Sequence, residues 1–278
     1  MKYHNHKIMM FICATAFSVT ACSSSNSFSD PIDFETPSEA PNPIPTQGTA
    51  KTFTTTADGT YSLAEGEAKL FDGVSMAPTT IEIDKNKKFQ TIDGFGYAIT
   101  YSSCYNLMQM NPEARQALLK RIYSTTEGYG VSYARISLGC NDFSSTEYTY
   151  CDKKGSENDP ISNFALYSDE NNYVIPILKE ILSINPSLKI IAAPWTCPKW
   201  MKVADIDTKT PKDSWTDGHL NPDYRETYAK YFVKFINVMK EKGINIYAVS
   251  PQNEPLNKAN CASLYMPWQE EAPFVKAL

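Results

Sequence analysis

A parallel α/β sheet is predicted for most of this 278-residue chain, and three observations predict it. From about residue 89 onward, short β-branched runs alternate four times with segments of helical apolar spacing, the signature of βα units. No glycine-rich phosphate loop follows the first run, since DGFGYA lacks the helix-opening GxGxxG arrangement, and a nucleotide-binding open sheet is disfavoured. The later strands end in polar or aromatic groups: Asp142 shortly after the second, Trp195 and Thr196 on the third, Asn253 and Glu254 on the fourth. Barrel enzymes carry their chemistry at that end of their strands, so closure into a barrel is favoured.

The first element is a targeting signal. Lys2 and Lys7 precede an apolar run over residues 8–21 that is too short and too soon interrupted for a membrane span. It closes on Val19, Thr20, Ala21 and Cys22, which resembles a bacterial lipobox, with small residues ahead of a cysteine lipidated after cleavage. The expectation is a signal peptide over residues 1–21 and an acyl anchor on Cys22 that holds an exported outer-membrane lipoprotein, periplasmic or at the cell surface. Ordinary secretory cleavage near Ala21 is the alternative, and it too takes the chain out of the cytoplasm. Residues 22–48, rich in Ser, Pro, Thr and Asn, read as a disordered tether. Over residues 49–88, β-branched runs at 51–56 and 79–83 are separated by Asp58-Gly59 and Asp72-Gly73 turn signals, which predicts strands of a side sheet.

The main domain is expected over residues 89–278. Its first strand is the apolar, glycine-punctuated stretch 90–100, and a helix starts at Asn111 and Pro112, with Ala114, Leu118 and Ile122 at helical spacing. A second strand over 131–138 leads into a long polar loop to about Ser168. The next helix carries Tyr173, Ile177, Ile181 and Leu182 and stops at Asn185-Pro186. The third strand, 189–195, is continuously apolar at its start, as a strand covered on both faces is. A third helix from Asn221-Pro222 to Gly243 presents Tyr228, Phe232, Phe235, Ile236 and Met239 on one side. The fourth strand lies in IYAVSPQNEP, residues 246–255.

Composition narrows the functional classes. With 42% hydrophobic residues the chain buries a sizeable core, and a net charge of -5 gives no basic face for nucleic acid. Beyond the signal and the lipobox Cys22, the remaining Cys104, Cys140, Cys151, Cys197 and Cys261 are odd in number and widely spaced, so they form no disulfide framework. Cys140 and Cys151 flank one loop that an exported protein can bridge, which leaves that pair open. His219 has no ligand-spaced companion, so neither a metal nor any other cofactor is expected.

The strand-end residues suit cleavage of a glycosidic bond. That reaction passes through an oxocarbenium-like transition state and needs an acid beside the leaving oxygen, with a second carboxylate across the sugar ring. Glu254 fits the acid, a carboxyl expected to be partly desolvated and near another negative charge, both of which raise its pKa. Asn253 can donate to a sugar hydroxyl, Asp142 can accept from paired hydroxyls, and Trp195 can wall the ring. Arg135 is a cation inside the second strand, either a partner for site carboxylates or half of a structural ion pair.

The phrases QTIDGFGYAITYSS, YARISLGCNDFSSTEYTYCD, IIAAPWTCPKWMK, YAKYFVKFINVMKEKGINIYAVSPQNEP and YMPWQEEAPFVK together resemble family 30 of the glycoside hydrolases, which includes glucosylceramidases and bacterial endo-β-1,6-glucanases. The resemblance implies a (β/α)8 TIM barrel with a β-sandwich side domain, of which this chain holds the N-terminal half, about four βα units, with N-terminal strands of the sandwich. It also implies a retaining hydrolase with Glu254 as acid/base, with Asn253 beside it. Asp142, Trp195 and Arg135 match substrate-binding positions, and the substrate is a β-glucan or β-glucoside, most simply β-1,6-glucan, with glucosylceramide as the alternative. The family's nucleophile is a second Glu on the seventh strand, and after Glu254 only Glu270 and Glu271 remain, on what resembles the helix after strand four. The chain is therefore expected to be a fragment, inactive alone. Its rivals are a lipid-anchored non-catalytic glycan-binding protein and a non-functional gene fragment.

Overall fold

The computed structural model describes residues 46–71, 81–259 and 262–278. The signal, Cys22, nearly all of the tether, Asp72-Gly73 and Cys261 lie outside the described residues. Two compact units result, one up to Lys87 and one from Lys88 to Leu278.

In the first unit, β1 (Thr46–Thr54) pairs antiparallel with β2 (Ala64–Phe71), in register from Gly48 opposite Leu70 to Thr54 opposite Ala64, with a shift of register between Thr46 and Gly48. The Asp58-Gly59 signal forms the connection. Gly59 takes φ +75°, a left-handed backbone that suits glycine, and the Asp58 carboxylate accepts from Thr60 N at 3.0 Å and Thr60 Oγ1 at 2.7 Å. The side-sheet expectation is met in part. The run at 51–56 falls largely in β1, but residues 81–83 are not a strand and the described residues show a ribbon of two strands.

The second unit is built on a parallel sheet in the order β3-β4-β5-β8, comprising β3 (Gly96–Ala98), β4 (Tyr133–Ser137), β5 (Lys189–Ala193) and β8 (Ile246–Val249). All four predicted strands are present and parallel. The first is shorter than the stretch 90–100. At Gly96 the chain runs so close to β4 that an added Cβ would meet Tyr133 O at 2.2 Å.

Helix α1 (Tyr101–Gln109) follows β3 directly, capped by the Thr100 hydroxyl, and α2 (Pro112–Tyr123) starts under an Asn111 cap that accepts from Glu113 N and Ala114 N. The buried residues of α2 are Leu119 and Tyr123, while Ala114 and Leu118 are exposed. Of the expected stripe only Ile122 packs, partly buried, against the core; the fully buried positions are Leu119 and Tyr123, whose ring lies 6.1 Å from that of Tyr97 on β3. A π-turn at Glu170–Val174 runs into α3 (Ile175–Ile184), which buries Ile177, Leu178 and Ile181. Two short strands, β6 (Lys202–Val203) and β7 (His219–Leu220), pair in the β5 connection. Helix α4 (Arg225–Glu241) buries Tyr228, Phe232, Phe235 and Met239 as predicted, and α5 (Trp268–Ala277) stacks Phe274 on Tyr228 at 5.0 Å.

The outer face of the sheet, Ala134 and Ile136 on β4 with Ile190 and Ala192 on β5, joins one buried cluster with Tyr123, Ile177, Ile181 and Phe235 from the helices. Fully burying a side chain of that size contributes about 1.5–3 kcal/mol. Cys140 and Cys151 are buried thiols with no bridge between them, so the open pair is resolved against a disulfide.

Candidate functional site

Alternation puts Tyr133, Arg135 and Ser137 on the inner face of β4, opposite the residues packed on the helices. Arg135 is half-buried there. Its Nη2 donates to Asn253 Oδ1 at 2.7 Å and its guanidinium lies 4.8 Å from the centre of the Trp195 ring. Burial draws Arg135 below its ordinary value, and the negative charges of Asp142 and Glu254 oppose that shift. The five predicted residues therefore converge on one region at the C-terminal side of the sheet, Arg135 from within β4 and the other four from beyond the ends of β4, β5 and β8.

Backbone bonds continue the sheet past its last formal strand. Ser250 N donates to Ala192 O at 2.9 Å and Asn253 N to Pro194 O at 2.8 Å, so residues 250–253 run along the end of β5. Gln252, buried between them, donates through Nε2 to Trp195 O at 2.7 Å and to Asn253 O at 2.9 Å. This side chain, which the sequence reading passed over, ties Trp195 to Asn253. Its Oε1 and the Trp195 Nε1 are both buried with no hydrogen-bond partner among the described residues.

At Glu254 the chain turns. The residue takes φ +43°, uncommon for anything but glycine, and Asn257 secures the turn by donating Nδ2 to Glu254 Oε2 and its backbone N–H to Glu254 O, both at 2.8 Å. The left-handed turn leaves the Glu254 side chain exposed, which corrects the expectation of a partly desolvated carboxyl.

Asp142 is presented by a loop that Asn141 organises. Buried Asn141 donates Nδ2 to Ser137 Oγ at 3.0 Å and accepts from Phe143 N at 2.7 Å, an Asx turn that leaves Asp142 exposed at its tip. The Asn-Asp-Phe tripeptide after a strand is the sequence signal for this turn.

The connection after β5 and the connection after β8 are locked together. Lys202, 1% exposed, donates Nζ to Ser214 O, Trp215 O and Ser263 O at 2.8 to 3.3 Å. Burial pushes its ammonium down to about 8, while the three carbonyls hold its protons. His219 does find a partner: its Nδ1 lies 2.9 Å from Glu270 Oε1 on α5. Both Glu270 carboxylate oxygens lie within 3.0 Å of that ring nitrogen. Among the described residues no group of three His, Cys, Asp or Glu side chains is arranged to hold a metal ion.

The family model of the glycosyl hydrolase family 30 TIM-barrel domain matches residues 92–266, more than half of the chain. The lysosomal acid glucosylceramidase of Mus musculus is 29% identical over 246 residues, covering 86% of this chain and 44% of that protein. An endo-1,6-beta-D-glucanase of Neurospora crassa is 30% identical over 221 residues, covering 77% and 45%. Among solved structures, an endo-beta1,6-glucanase is 56% identical with a TM-score of 0.71, covering 84% of this chain and 48% of that one. The chain thus spans less than half the length of each of these three relatives. A parallel sheet with its polar residues gathered at the strand ends and a family match that runs through all four strands agree, and the chain belongs to glycosyl hydrolase family 30.

Proposed function

We propose that this chain carries the acid/base half of a retaining glycoside hydrolase that acts on β-1,6-glucan. The observation that carries this reading is the convergence of Arg135, Trp195, Asn253, Asp142 and Glu254 at the C-terminal side of three parallel strands. Glu254, exposed on its turn, protonates the leaving glycosidic oxygen and later deprotonates the water that releases the sugar. Arg135 fixes the Asn253 amide so that its Nδ2 is directed to a sugar hydroxyl, Trp195 walls the ring, and Asp142 accepts from hydroxyls. The 56% identity to an endo-beta1,6-glucanase supports the choice of glucan over glucosylceramide, and export with a lipid anchor at Cys22 suits polysaccharide breakdown.

A retaining mechanism sets the nucleophile about 5–5.5 Å from the acid/base across the ring. Glu270 is bound to His219, and Glu271 sits beside it on α5, so in this reading neither is the nucleophile. The 278-residue chain is then expected to bind β-1,6-glucan without releasing reducing ends. A barrel completed with the C-terminal half of the 56% identical glucanase is expected to release them. Reducing-end assays on β-1,6-glucan and glucosylceramide decide the matter: turnover by the purified chain alone refutes the division of carboxylates, and activity of the completed barrel confined to glucosylceramide refutes the substrate.

A further inference from the structure

Residues 140–148 leave the sheet end and return to it, closed by Cys140 N donating to Tyr148 O at 3.1 Å. Asn141 and Asp142 ride on this excursion. Its return limb is fastened from below, where the Tyr148 hydroxyl donates to Glu170 Oε1 at 2.6 Å and the Tyr148 ring stacks on Tyr167 at 4.1 Å. Glu170 is 4% exposed and opens the π-turn ahead of α3. Such turns are insertions in helical geometry that recur at functional sites, and this one aims a carboxylate into the interior. Glu170 Oε2 and the neighbouring Asp169 Oδ2 are buried without protein partners, so nothing in the packing alone accounts for two acids there.

We infer that Glu170 is the positioning residue of the 140–148 excursion, which it fixes through the Tyr148 hydroxyl so that Asp142 is held in place for substrate. The titratable groups that face it are Asp169 on its own turn, Tyr148 and Tyr150 on the excursion and its continuation, Cys104 on α1, and Tyr231 on α4. All are acids that are neutral when protonated, and no cation among them offsets the charge of Glu170. Burial accordingly pushes the Glu170 carboxyl up from 4.5 to about 7, with the Tyr148 hydrogen bond opposing the shift. A carboxyl raised in the folded state adds stability that is fully present below its unfolded value and is lost as pH rises toward the folded value. Ionisation between about 4.5 and about 7 strengthens the Tyr148 hydrogen bond itself but places an uncompensated charge in the interior, so the net stability of the closed excursion falls over that range.

Hydrogen exchange of residues 140–148, followed by mass spectrometry on the whole chain and corrected for intrinsic rates, tests this. In the wild type the opening constant is expected to rise by up to about tenfold per pH unit between about 4.5 and 7 and to level off above that. Glu170→Gln is expected to remove the slope, Asp169→Asn to retain it, and Tyr148→Phe to raise opening about fivefold at acid pH. A wild-type profile shared by Glu170→Gln overturns the inference, as does a Tyr148→Phe variant whose excursion opens no more than the wild type's. The substrate-holding role of Asp142 rests on the hydrolase reading, whereas the exchange profile does not, so failure of a glucan assay and failure of this anchor are separate results.

Discussion

The two faces of the four-stranded sheet come from the same short strands and carry opposite chemistry. On the outer face, Ala134, Ile136, Ile190 and Ala192 sit in the main buried cluster with residues of the surrounding helices. On the inner face, Tyr133, Lys189 and Tyr247 form a polar-aromatic layer at the N-terminal end of the strands: Lys189 Nζ donates to Tyr133 OH at 3.1 Å and lies 4.8 Å from the Tyr247 ring centre. Tyr247 is 58% exposed. One layer higher come Arg135 and then Asn253 and Trp195. Strand alternation thus separates the residues that hold the fold from those of the candidate site, although they are neighbours along the chain.

That division is most severely tested at the helix side of the core. Phe235 on α4 is fully buried and stacks on Tyr150 at 5.8 Å, so Phe235→Ala is expected to lower the unfolding free energy by about 3–5 kcal/mol in urea titration. Glucan affinity of the molecules that remain folded should not change. A loss below about 1 kcal/mol would erase the contrast between the faces. On the inner face the expected effects move to binding. Arg135→Met removes the charge-assisted bond to Asn253 and is expected to weaken β-1,6-gluco-oligosaccharide binding by about 1.5–3 kcal/mol in titration calorimetry, with a smaller change in unfolding than Phe235→Ala. Unchanged affinity would return Arg135 to a purely structural role. The smallest effect is expected at the exposed acid: Glu254→Gln should leave the unfolding free energy within about 0.5 kcal/mol of the wild type. A larger drop in the same urea titration would mean that the carboxylate supports the fold as well.

Sequence legibility follows the same line. The strands with dense apolar or β-branched runs and the five-residue stripe of α4 were readable because burial alone dictates them. Helix α1 was not, since YSSCYNLMQ offers one fully buried side chain, Cys104, and its one local signal is the Thr100 cap that receives Ser103 N. β6 and β7 were passed over because each is two residues long in a polar connection whose order comes from the buried Lys202 ammonium. Of the candidate site, the residues on strand ends were legible from position. Gln252 and Glu170 were hidden, because each works by reaching a partner across the fold, which spacing along a single sequence does not record, whereas Asn141 was passed over although its Asx turn has a local signal. The exposure of Glu254 was hidden for a different reason: it follows from a left-handed backbone that no neighbouring glycine announces.

That backbone has a consequence for how the chain would respond to selection. A non-glycine residue in the left-handed region carries a conformational cost of about 1 kcal/mol, which glycine at the same place avoids. Under the proposed acid/base role, position 254 is therefore a site where thermal robustness and chemistry pull in opposite directions. In a laboratory lineage screened for heat tolerance without a glycan in the screen, this is a position from which the acid should be lost early, with glycine as its replacement.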